Sequence, residues 1–129
     1  MKKAAFIILL FLAFGLQNLS AQQKLGGLAP DCKLICPNAF TPNDDGVNDY
    51  FFVSTTGGCR IQKCELKIFD RWGRLVFEGD EITDQWDGDY DGQELKEGVY
   101  LWQSTITWAS EGNQSAFTET KKGSLVLIR

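Results

Sequence analysis

Apolar residues follow two different rhythms along this chain. Behind Lys2 and Lys3 they form an unbroken run over residues 4–16; beyond residue 31 they come in short bursts that alternate with polar residues, and helical spacing is almost absent. The first rhythm predicts a secretory signal peptide. The run spans 13 residues, fewer than the roughly 20 that cross a bilayer as a helix. Ser20 and Ala21 supply the small residues of a cleavage point before Gln22. Cys32 stands too far beyond the run to serve as a lipoprotein anchor. Residues 1–21 are therefore set apart from the fold, and residues 22–31, QQKLGGLAPD, read as a short flexible leader.

The second rhythm predicts strands, because alternation places every second side chain on the same face of an extended chain. Five segments carry it: YFFV at 50–53, CELKIFD at 64–70, RLVFE at 74–78, GVYLWQSTITW at 98–108 and GSLVLIR at 123–129. Two weaker ones lie near 33–36 and 84–86. Gly and Asp clusters separate them, with a hairpin-like turn at Gly73, and the polar stretch 111–120 reads as an exposed loop. The pattern predicts an all-β, antiparallel β-sandwich of about seven strands, occupying residues 32–129 as one domain.

Charge narrows the partners. Without residues 1–21 about 108 residues remain, enough for one core, and 11 of the 13 cations then face 17 acids, a formal charge of −6. Such a balance argues against nucleic-acid binding, which depends on cationic neutralisation of phosphates, and is compatible with a divalent cation. The four cysteines, Cys32, Cys36, Cys59 and Cys64, belong to an exported chain and are expected to form two disulfides, in any of three pairings. A zinc site would favour Cys-x2-Cys spacing and commonly His, and the sequence has neither.

Catalysis lacks its usual reagents: with no His, a Ser or Cys nucleophile has no common base. A carboxylate pair remains conceivable chemically, but the Asp residues sit in turn-forming sequence, where they cap backbone N–H groups. No catalytic residue is expected. Two loops resemble fragments of a calcium loop, which needs spaced oxygen ligands and a Gly at its sixth position. Asp87, Asp89 and Asp91 occupy positions 1, 3 and 5 before Gly92; Asn43, Asp45 and Asp49 occupy 3, 5 and 9 around Gly46. Neither has the terminal Glu. No cofactor is required, and calcium is the candidate. Trp102 and Trp108 share one face of a strand and fill either the core or a glycan platform; Trp72 and Trp86 stand beside turns and read as corner plugs. In the last strand Leu125 and Leu127 point one way and Val126 and Ile128 the other, so both faces are apolar. Such a strand is either covered on both sides or offers an edge to a partner.

Taken in order, PNAFTPNDDGVNDYF, KIFDRWGRLVFE, WDG, GVYLW and KGSLVLIR resemble the type B C-terminal sorting domain of the type IX secretion system, also called the gliding motility-associated C-terminal domain, over residues 32–129. One departure is Asp44, where the family's turn often carries Gly; Asp tolerates the left-handed backbone better than most residues. The resemblance implies an immunoglobulin-like sandwich that acts as an address. It would pass through the periplasm, be recognised by outer-membrane proteins of the type IX system, and be delivered to the outer membrane or cell surface or released. Lys122, Gly123, Leu125, Val126, Leu127, Ile128 and Arg129 are the candidate partner-binding residues. No passenger precedes the domain in this sequence, which leaves two roles: a stand-alone partner of the secretion or gliding machinery, or a small surface protein. The other reading is a secreted calcium- or glycan-binding module.

Overall fold

The computed structural model describes residues 32–110, 112 and 115–129. The signal peptide and leader expected over 1–31 lie outside them. Among the described residues there are nine strands: β1 (Lys33–Ile35), β2 (Ala39–Phe40), β3 (Ser54–Thr56), β4 (Ile61–Phe69), β5 (Leu75–Gly79), β6 (Asp89–Tyr90), β7 (Gln93–Glu94), β8 (Gly98–Trp108) and β9 (Phe117–Leu127). A five-stranded sheet in the order β2-β9-β8-β4-β5 forms one layer, and the β1-β3 pair with the loops around it forms the other. The all-β sandwich is as expected, except that β2 runs parallel to β9 through Ala39↔Val126 and Phe40↔Leu127.

Period-two burial builds the core. From β8 the side chains of Tyr100, Trp102, Ser104, Ile106 and Trp108 face inward, from β4 Cys64, Leu66 and Ile68, and from β9 Leu125 and Leu127. Leu34, Phe51, Val53 and Trp86 cover them from the opposite side, and Phe40 of β2 packs in beside Leu127. Trp86 is the centre of this lid: its ring lies 5.3 Å from Phe40 and 5.1 Å, edge-on, from Tyr100. Its indole N–H donates to the Asp89 carbonyl at 2.8 Å, so the ring is buried without stranding its donor. Truncating such a side chain to Ala removes about 3–5 kcal/mol.

Three expectations need correction. Residues 50–53 form no strand; Phe51 and Val53 are buried, but Phe51 makes only a single bridge, to Trp86. The expected strand at 84–86 is likewise reduced to that bridge. The polar loop expected over 111–120 is shorter, because β9 begins at Phe117 and Phe117–Leu127 pairs with β8 along its whole length. Cross-strand hydroxyl bonds, Thr105–Thr120 and Thr107–Thr118 at 3.0 Å each, hold that polar end together where apolar alternation is missing.

Candidate functional site

β9 is the element on which the candidate partner-binding residues converge. Leu125 and Leu127 are fully buried, whereas Val126 and Ile128 remain 37% and 46% exposed. One apolar face of the strand therefore completes the core and the other meets solvent. On its second edge β9 pairs only with the two residues of β2; among the described residues no strand pairs with β9 from Phe117 to Leu125 on that side. The N–H groups of Val126 and Ile128 donate to Asn38 and Phe40 across this edge. By alternation the backbone groups of Thr118, Thr120, Lys122 and Ser124 point the same way, which makes a row of donors and acceptors suited to strand addition. Lys121 reaches across part of this side to the Leu34 carbonyl at 3.5 Å, and exposed Lys122 is the kind of charge that keeps an open edge from unselective pairing.

Gly123 sits opposite Trp102 in the β8–β9 register, and the indole occupies the space that a side chain there would need. Arg129 behaves differently from its neighbours. Its guanidinium donates to the carbonyls of Leu95, Gly88 and Pro42 at 3.3–3.4 Å and pairs with Asp89 and Glu94 at 3.4 Å. The residue expected to meet a partner is engaged as an internal clasp that binds β9 to three loops.

The two Asp loops are built by their own backbone. Asp49 accepts N–H bonds from Asn43 and Asp44 at one carboxylate oxygen and from Gly46 at the other, at 2.8–3.0 Å. Its slight desolvation pushes the carboxyl pKa up, but the N–H donors of Asn43, Gly46 and Asp44 outweigh that and hold it below the usual value. Asn43 and Asp45 accept from the N–H groups two residues ahead, and Asp44 adopts the left-handed conformation at φ 60° that the departure from Gly required. In the second loop Asp87 accepts from the Asp89 N–H, Asp89 pairs with Arg129, and Asp91 holds a left-handed turn at φ 52°. Among the described residues no three acidic or cysteine side chains converge as a metal site would need. Asn43, Asp45, Asp49, Asp87, Asp89 and Asp91 lie in two separate turns, where Asn43, Asp45, Asp49 and Asp87 cap backbone N–H groups, Asp89 pairs with Arg129 and Asp91 takes a left-handed turn position.

Of the two disulfides expected, one is closed: Cys32–Cys59, with Cα atoms 5.9 Å apart, joins the start of β1 to the end of the loop after β3. Cys36 and Cys64 are thiols. Cys64 lies on the inner face of β4 beside the buried Ser104 hydroxyl, and burial raises its pKa. Burial pushes the Cys36 thiol up to about 11, partly offset by Lys121. Trp102 and Trp108 belong to the core, so neither ring is available as a glycan platform. Trp72 corrects the corner-plug reading from the other direction: it is 84% exposed. Asp70 caps the turn beneath it, accepting from the N–H groups of Trp72 and Arg74 at 2.9 Å, so the turn needs no plug and leaves the ring outside.

Among the described residues, no helix is long and apolar enough to cross a membrane. Comparison with curated proteins and with solved structures finds no match to this chain. A family model does match, over residues 34–127, from inside β1 to the last residue of β9, and it takes in the buried alternation, both Asp loops and the half-open strand. The chain belongs to the CHU_C family, the type IX secretion signal domain, and its role is secretion sorting toward the outer membrane or cell surface through the type IX machinery.

Proposed function

We propose that this domain is a non-enzymatic sorting and interaction module that docks through β9. After a signal peptide over residues 1–21 takes the chain into the periplasm, an outer-membrane protein of the type IX system adds a strand to the open edge of β9 and covers Val126 and Ile128. The observation that carries this reading is the division of one strand between two tasks. Leu125 and Leu127 hold it in the core with no exposure, Val126 and Ile128 turn the other way to solvent, and the backbone edge that β2 leaves unpaired lies just before them, over residues 117–125. Edge pairing provides affinity through main-chain hydrogen bonds, and alternate side chains provide selectivity.

The test places residues 32–129 behind an exported fluorescent reporter in a host that has this secretion system. Surface or medium fluorescence is the expected result; an intact fusion held in the periplasm would refute the sorting reading. A second arm uses Lys122→Pro. Position 122 directs its N–H away from β8, so Pro there removes a donor from the open edge without breaking a ladder bond inside the sheet. Delivery should fall while the purified variant stays folded; undiminished delivery would remove the edge from the mechanism.

A further inference from the structure

A second surface, at the end of the sheet near Trp72, has the make-up of a recognition patch. The outer face of the five-stranded sheet is polar along most of its length, with Lys67 paired to Glu65 and Glu78 and the two Thr–Thr bonds beyond. At the other end it turns apolar. The register sets Val99 beside Val126, Leu101 beside Phe69, and Phe69 beside Leu75, so these side chains form one stripe across four strands. Val99 and Leu101 are about half exposed, and Trp72 stands in the turn at the end of the stripe.

Next to the stripe, an open groove of about 470 Å³ runs between the Trp72 turn and residues 94–100. Two of its carboxylates are paired with cations, Asp70 with Arg74 at 3.0 Å and Glu94 with Arg129, while Glu97 accepts the Arg129 backbone N–H and keeps its charge. Among the described residues neither Arg71 nor Lys96 has a carboxylate partner. The Arg71 guanidinium lies over the Trp72 ring at 5.6 Å, a cation–π contact that sets the charge directly beside the exposed ring. An exposed Trp held by an Arg, in an apolar patch edged by unneutralised positive charge, is the composition of an interface hot spot.

We infer that the Trp72 groove binds a segment of another polypeptide that carries large apolar side chains flanked by carboxylates. The apolar stripe would receive the side chains, and Arg71 and Lys96 would neutralise the acids. A second copy of this chain is the poorer occupant, because an isologous contact centred here would face the same cations with each other across the two-fold axis. The inference deepens the docking reading above by giving the partner a charge and a second contact area, and it is tested in a separate assay from delivery.

The test uses the full mature protein and the fluorescence of Trp72. The other three tryptophans are 9% exposed or less, so quenching by acrylamide reports on Trp72. The probes are a synthetic peptide of Leu and Phe flanked by Glu, and the same peptide with Lys in place of Glu. The Glu peptide should shield Trp72 saturably and move its emission to the blue. The Arg71→Glu, Lys96→Glu double variant should lose at least about tenfold in affinity for it and gain affinity for the Lys peptide. Equal shielding by both peptides, or none by either, would overturn the inference. So would shielding by neutral glycans in place of the acidic peptide, or concentration-dependent dimers that bury Trp72 without any peptide. Arg71 and Lys96 lie at the surface and neither is used by the core, so the double variant folds as a fair comparison.

Discussion

Gly123 and Trp102 face each other across the β8–β9 ladder so closely that a Cβ placed on Gly123 would lie 2.7 Å from the indole ring. The indole uses the glycine as its seat. Because the obstacle is a ring packed in the core rather than the free end of a flexible chain, Gly123→Ala is expected to destabilise the domain by roughly 1–3 kcal/mol. Chemical denaturation followed by tryptophan fluorescence checks it. Gly88 offers a second case: its added Cβ would meet Leu127 at 2.8 Å, and its backbone is left-handed at φ 85°.

Arg129→Ala should lower stability on the order of 2 kcal/mol, since it deletes charge-assisted bonds to the carbonyls of Leu95, Gly88 and Pro42. Arg129→Lys should recover little of that loss, because one ammonium cannot span the carbonyls of Leu95, Gly88 and Pro42 as the planar fork does. Thermal melts of the three proteins decide it; equal melting temperatures would show that the clasp adds nothing.

Asp49 and Asp70 give the fold an acid-sensitive side. Asp70 is held below the ordinary carboxylate range chiefly by the Arg74 backbone N–H, then by the Trp72 N–H and the Arg74 guanidinium against slight desolvation. A carboxyl whose folded pKa lies below its unfolded value near 3.9 adds stability that is complete above that value and disappears as pH falls through the folded pKa. Denaturation midpoints should therefore be flat near neutral pH and decline below about pH 4. Asp49→Asn and Asp70→Asn should each be less stable at pH 7 and show a shallower decline in acid; a slope equal to that of the unaltered protein would contradict the assignment.

Removing the closed bridge with Cys32→Ala and Cys59→Ala frees a loop of 27 residues' separation and should cost about 3 kcal/mol. In the denatured, unreduced protein an alkylating reagent should label two cysteines, mapped to Cys36 and Cys64 by mass spectrometry. Finding none labelled would mean that the exported protein closes a second bridge. In the folded protein Cys36, with its thiol raised to about 11, should react slowly at pH 8.

How far the sequence foretold this molecule depends on which force shaped each part. The alternation of Tyr100, Trp102, Ile106 and Trp108 marks β8 at its true bounds because burial alone sets that pattern. The start of β9 was hidden for the opposite reason: Phe117–Thr120 faces water on one side and is held by backbone pairing and Thr–Thr bonds. Phe51 and Val53 read as a strand because aromatic and branched residues favour strands, yet their burial is achieved by an irregular segment with one bridge. At the candidate site, the doubly apolar end of β9 was legible from Leu125 to Ile128. The internal role of Arg129 was not, since its partners Pro42, Gly88 and Leu95 come from loops that no local pattern brings together. Trp72 beside Gly73 gave only the turn; its exposure follows from Asp70 capping that turn by itself.

The parallel pairing of β2 with the far end of β9 has a consequence for the order of events in the cell. Phe40 meets Leu127, which lies 87 positions further along the sequence, so Phe40 and Trp86 lack this neighbour in the core until the end of β9 has been made. Contacts this distant in sequence form slowly, because a long loop must close before they contribute. A chain that still lacks the end of β9 therefore stays open and threadable, and the pairing of β2 with β9 is a late step in folding.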